Sequence, residues 1–139
     1  MAYAGGSSAF GKGGHCVSIT SSQTLTNQDS GKVFFIGACT AATTITLPTA
    51  KAGLHYSFIN TALNSAEVKI DTGTASGTAP DFYGHTVGAA AESISAKRIV
   101  HLANSADAIG DQIDIICDGT NWYVRAIQMT DDAVVGANS

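Results

Sequence analysis

Charge is what this sequence has least of. Asp, Glu, Lys and Arg make up 13% of its 139 residues, against about 25% in ordinary soluble domains. Alanine, threonine, serine and glycine fill the gap. A surface so poor in charge suits a protein whose exterior is largely covered by partners, or an extracellular or virion protein built from small polar residues. The basic residues, Lys12, Lys32, Lys51, Lys69, Lys97, Arg98 and Arg125, are scattered, and the net charge is −4. No patch can neutralise a run of phosphates, so nucleic acid is not an expected partner. No apolar run approaches the ~18 residues of a membrane-spanning helix. The opening MAYAGGSSAFGKGGHC also lacks the basic-then-apolar order of a signal peptide. No membrane partner is expected.

Catalytic and metal-binding patterns are missing too. His15 and Cys16 are neighbours, so on a strand they point to opposite faces and form no dyad. There is no G-x-S-x-G elbow. Glu67, Asp71, Asp111, Asp114 and Asp118 could supply a glycosidase-type carboxylate pair, but any β-protein offers as much. The four histidines lack His-x-His or His-x-x-x-His spacing for zinc. Cys16, Cys39 and Cys117 are an odd count without C-x-x-C spacing, which reads as reduced, buried thiols. Asp118-Gly119-Thr120-Asn121 lacks the alternating oxygen ligands and closing Glu of a calcium loop and reads as a turn. No glycine-rich phosphate loop sits between a strand and a helix. The expectation is a non-enzyme with neither metal nor cofactor.

What the sequence does contain is alternation. In Gly110–Ile127, GDQIDIICDGTNWYVRAI, Ile113, Ile115 and Cys117 alternate with polar neighbours. Asp118-Gly119 then makes a turn, and Trp122, Val124 and Ala126 resume one face. This predicts a β-hairpin whose single tryptophan anchors the core. Short strands are expected from His15 to Thr20 and in KVFFIG, TTITL, LHYSFIN and EVKID, with Phe34, Ile45, Leu47, Tyr56, Phe58, Ile113, Ile115, Trp122 and Val124 as core. Residues 93–103 predict one strand bent near Ala96-Lys97. Residues 72–90 read as a long loop in which Phe82 and Tyr83 stand out, and loops of that length are usually functional or partner-bound. The chain is long enough for one domain: a glycine-rich arm (1–14), a β-domain (15–129) and a polar tail (130–139). The arm reads either as a disordered tail or as a segment that orders against a neighbouring subunit, with Tyr3 and Phe10 as anchors.

Strands at roughly ten-residue spacing with turn chemistry between them predict an all-β sandwich or barrel, and no fixed-period repeat supports a propeller or solenoid. Aromatics on such a surface can stack on sugars. Trp122, Tyr83 and Tyr123 are the candidates, although neighbouring Trp122 and Tyr123 cannot both face outward.

Two stretches, GKVFFIGACTAATTITLPTAKAGLHYSFIN (Gly31–Asn60) and GDQIDIICDGTNWYV (Gly110–Val124), resemble β-domains of tailed-phage virion proteins. In those domains a strand ending in ITLP leads through AGLxYxFI, and a later GTNWYV closes the core. The pattern recurs in head decoration (cement) proteins and in tail-fibre or spike modules. The chain has no shaft, heptads or collagen-like repeats, which favours the decoration class. That resemblance implies a jelly-roll-like domain that forms a homotrimer on the major capsid protein. It would stabilise the expanded shell at its outer surface, after assembly in the bacterial host cytoplasm. Tyr3, Phe10 and Lys12 of the arm, with Phe82 and Tyr83, become the implied capsid or subunit contacts. A receptor- or carbohydrate-binding fibre module is the alternative.

Overall fold

Alternating burial builds nearly every strand of this chain. The computed structural model describes residues 15–138 apart from Ser76 and Ser105, so Tyr3, Phe10, Lys12 and the glycine-rich arm lie outside the described residues. In chain order the strands are β1 (Cys16–Ile19), β2 (Gln23–Thr24), β3 (Val33–Ile36), β4 (Thr43–Thr46), β5 (His55–Asn60) and β6 (Val68–Asp71). They continue with β7 (Phe82–Gly88), β8 (Ser93–Lys97), β9 (Ile99–Leu102), β10 (Gln112–Cys117), β11 (Trp122–Gln128) and β12 (Val134–Ala137). They form two mixed sheets packed as an all-β sandwich. The larger runs β1-β3-β5-β10-β11-β7-β8 and the smaller β12-β9-β6-β4-β2.

The chain changes sheet at almost every step. From β1 to β6 successive strands alternate between the two sheets, so β1-β3-β5 and β2-β4-β6 each pair in parallel. Parallel neighbours need a crossover, and here each crossover is a strand of the opposite sheet. This differs from the antiparallel pairing of a jelly roll. Cys16 pairs with Val33 and Val33 with Ser57, while Gln23 pairs with Ile45 and Thr43 with Val68. The steps are unequal, so the winding leaves no fixed period in the sequence. From β10 onward the pairing turns mostly antiparallel, beginning with the β10–β11 hairpin around Gly119, which sits at φ +106°.

Trp122, the first residue of β11, is fully buried in the core, with the Tyr56 ring 5.9 Å away. Phe34 stacks on Phe58 at 5.4 Å. Ile45, Leu47, Ile113, Ile115 and Val124 are buried around them, all as alternation requires. Tyr56 donates its hydroxyl proton to the Thr26 carbonyl, and burial pushes its pKa up to about 12.

Several segments differ from the sequence reading. Residues 72–90 are not all loop, because Phe82–Gly88 is β7, parallel to β11 on one side and antiparallel to β8 on the other. Gly84 lets β7 lie that close: a Cβ there would stand 1.9 Å from the Val124 carbonyl oxygen. Residues 130–139 are not a tail either. Val134–Ala137 pairs with β9, and Ala133 and Val134 are buried. The strand expected over 93–103 is split at Arg98, with Ala96 at φ +52° just before the break. Its halves, β8 and β9, belong to different sheets. All three cysteines are free thiols, but only Cys39 and Cys117 are buried; Cys16 is exposed on the edge strand.

Candidate functional site

The outward face of the larger sheet gathers Ile116, Ile127, Tyr123 and Val87, exposed apolar side chains set side by side on neighbouring strands, whereas exposed Leu63, Ile109 and Met129 lie outside the strands. Its side chains come from the outward positions of β5, β10, β11 and β7, and the strand registers order them into three rows. The first row runs His55, Ile116, Tyr123, Tyr83. The second runs Ser57, Asp114, Arg125, His85, and the third Ile59, Gln112, Ile127, Val87. Ile116 is 51% exposed, Ile127 47%, Tyr123 44% and Val87 39%. β-Branched and aromatic residues suit strands. Here they also occupy the side of the sheet that faces away from the core.

The Tyr83 and Tyr123 rings lie 6.3 Å apart at 34°. The hairpin turn fixes Tyr123, whose hydroxyl donates to Asp118 Oδ2 at 3.1 Å. Asp118 Oδ1 accepts the backbone N–H groups of Thr120 and Asn121 at 2.7 and 2.8 Å. Those N–H bonds, from Asn121 first, hold the Asp118 carboxyl below the usual carboxylate range. The hydrogen bond to that carboxylate raises the Tyr123 hydroxyl above the usual phenol value.

In the middle row Ser57 donates to Asp114 Oδ1 at 2.6 Å, and Arg125 Nη2 stands 3.8 Å from Asp114 Oδ2. The Arg125 side chain is 69% exposed, so this loose pair contributes little to stability. A shallow groove of about 290 Å³ lies among His55, Asp114, Ile116, Tyr123 and Arg125. It offers an aromatic wall, a carboxylate, a guanidinium and an imidazole, which suits contact recognition.

Two other clefts are larger but poorer in chemistry. One of about 720 Å³ lies between Thr24–Gln28 and Leu47–Thr49 and has no titratable lining. One of about 490 Å³ is walled by Thr46, Thr49, Thr72, Thr74 and Thr120 with Pro80. No group of three or more His, Cys, Asp or Glu that could hold a metal occurs among the described residues.

Of the residues singled out from the sequence, Tyr83 and Tyr123 come together on this face. Trp122 turns inward beside them. Phe82, expected as a surface contact, is fully buried because it alternates with Tyr83 on β7 and faces the core. A buried polar knot escaped sequence reading altogether. Asp107 Oδ2 accepts from Asn60 Nδ2 (3.0 Å), Asn64 N (3.1 Å) and Asn64 Nδ2 (2.8 Å). Asn64 Oδ1 in turn takes the Cys39 N–H at 2.9 Å. Asp111 caps the same end, accepting from Ala108 N and Met129 N. Every one of these bonds is internal, so the knot ties loops together. No protein-family model matches the chain, and no curated protein is similar to it in sequence at a significant level.

Proposed function

We propose that the chain is a non-enzymatic structural protein of a tailed-phage virion: a decoration (cement) protein that binds the major capsid protein and stabilises the expanded shell from outside. The observation that carries this reading is the outer face of the larger sheet, where exposed Ile116, Tyr123, Ile127 and Val87 flank a polar row of Ser57, Asp114, Arg125 and His85. Exposed apolar side chains set among polar ones mark protein contact sites, and the overall poverty of charge fits an exterior covered by neighbours. The protein works as a homo-oligomer, a trimer by its resemblance to decoration proteins. Several weak contacts per particle then hold it by multivalency. Its place is the outer capsid surface, after assembly in the host cytoplasm.

The test is co-sedimentation with undecorated expanded capsids, comparing the full chain with one lacking residues 1–14. Saturable binding supports the reading. Loss on truncation assigns the latch to the arm that holds Tyr3, Phe10 and Lys12, and binding that survives assigns it to the β-domain. A full chain that never pellets with capsids overturns the reading. One observation favours a fibre or spike module instead: the Tyr83–Tyr123 pair beside Asp114, Arg125 and His55 could stack and hydrogen-bond a sugar ring. That reading predicts glycan binding that is lost in Tyr123→Ala.

A further inference from the structure

We propose that the outer face of the larger sheet closes on a second copy of the same chain, about a two-fold axis that runs along the β10–β11 hairpin. The inference goes beyond the capsid reading and is read on the protein alone. Its basis is the register. An axis along the strands between β10 and β11 lays β10 over the partner's β11 and β5 over the partner's β7. Each row then meets itself in reverse order. Asp114 faces the partner's Arg125 and Arg125 the partner's Asp114. Ile116 covers the partner's Tyr123, Ile59 the partner's Val87, His55 the partner's Tyr83, Gln112 the partner's Ile127 and Ser57 the partner's His85. A symmetric interface must be self-complementary in this way.

The alternative face-to-face axis, across the strands, would place Arg125 on Arg125 and Asp114 on Asp114. Charge therefore selects between the two. The molecule carries a net −4, which opposes self-association, yet the outward positions of β5, β10, β11 and β7 hold one carboxylate, Asp114, and one guanidinium, Arg125, beside the two histidines His55 and His85. The loose Asp114–Arg125 contact, at 3.8 Å, leaves both groups capacity for a partner across the interface. A sugar would favour the Tyr83–Tyr123 end, because in the third row Gln112 alone offers it a hydrogen bond. A second copy covers all three rows.

The experiment uses charge variants of the full chain in sedimentation velocity, with thermal melts to verify folding. The wild type should form an even-numbered assembly: a dimer, or a hexamer in which two of the proposed trimers pair through this face. In Arg125→Asp the facing positions are all acidic, and in Asp114→Arg all basic, so each variant alone should self-associate about a hundredfold more weakly. Mixing the two should restore association as a hetero-pair that weakens with salt. Ile127→Glu, at an exposed position, should lose association without loss of fold and serves if a charge variant fails to fold. Four outcomes overturn the proposal: a wild type monomeric up to its solubility limit, a lone homotrimer, single variants that pair as well as wild type, or mixing that restores nothing. If the wild type is monomeric, whichever of capsid or glycan binding is lost in Ile127→Glu names the true occupant.

Discussion

The two sheets present opposite kinds of exterior. Outside the smaller sheet, charges are consumed locally. Glu67 Oε1 lies 2.8 Å from His101 Nδ1, Glu67 Oε2 lies 3.0 Å from Lys69 Nζ, and Arg98 clamps Asp71 with bonds of 3.0 and 2.7 Å. Thr24, Thr44 and Thr46 lie in the same rows, as do the apolar Ile99, Val135 and Ala137 of β9 and β12. Outside the larger sheet, Ile116, Tyr123, Ile127 and Val87 stand in solvent around one loose ion pair. A sandwich needs only its inner faces to be apolar. The smaller sheet keeps its outward charges paired and its outward Ile99 buried, and the larger one spends apolar residues in solvent where folding does not require them. The difference separates what holds the fold from what is free to meet a partner.

The contrast can be broken from within the larger sheet. Gly84→Ala should have the largest effect, a loss of about 3 kcal/mol, because the new Cβ would run into the Val124 carbonyl. Urea titration should register it as a lowered midpoint; an unchanged midpoint would mean that the β7–β11 pairing tolerates far more separation than its register implies. On the smaller sheet, Arg98→Ala should cost about 2 kcal/mol, since it strands the Asp71 carboxylate, whose side chain is only 9% exposed. A loss no larger than that of a free surface arginine would show that this pair is ornamental.

Acid sharpens the comparison further. Burial would raise the Glu67 carboxyl, but the Lys69 hydrogen bond and the His101 charge outweigh it and hold it below its ordinary 4.5. A depressed native value gives stability that is present above the ordinary value and lost as pH falls through the native one. Wild-type melting temperature should therefore drop more steeply below about pH 4.5 than that of Glu67→Gln, and parallel slopes would contradict the assignment. The smallest effect belongs to the outer face of the larger sheet. Tyr123→Ser and Ile127→Ser should each leave monomer stability within about 0.5 kcal/mol of wild type. A larger loss in dilute protein would mean that the face serves the fold after all.

Legibility in the sequence followed the range of the interactions. The β10–β11 hairpin and strands β3 to β6 are visible because alternation and turn residues are local signals, and Asp118-Gly119 names its own turn. Strand β7 was hidden because Gly84, Gly88 and Pro80 read as loop. What makes the segment a strand is pairing with β11, some forty residues away in register, from Phe82 to Trp122. Strand β12 was hidden likewise, since VVGA becomes a strand only against β9. The Trp122/Tyr123 alternation correctly placed one ring in and one out. That Tyr83 would lie beside Tyr123, and that Phe82 would be buried, followed from the β7–β11 register, which no local pattern encodes.

Strand exchange between the layers also governs how the molecule comes apart. With β1 to β6 shuttling between sheets, and β8 passing to β9 through a single residue, Arg98, neither layer is a continuous piece of chain that could detach while the other persists. The sandwich is laced, so no half of it is a candidate intermediate. Tryptophan fluorescence reports Trp122 in one layer, and far-UV circular dichroism reports both. Their denaturation curves should coincide in one transition, and the fold should be slow to form because most of its strand pairings join distant parts of the chain.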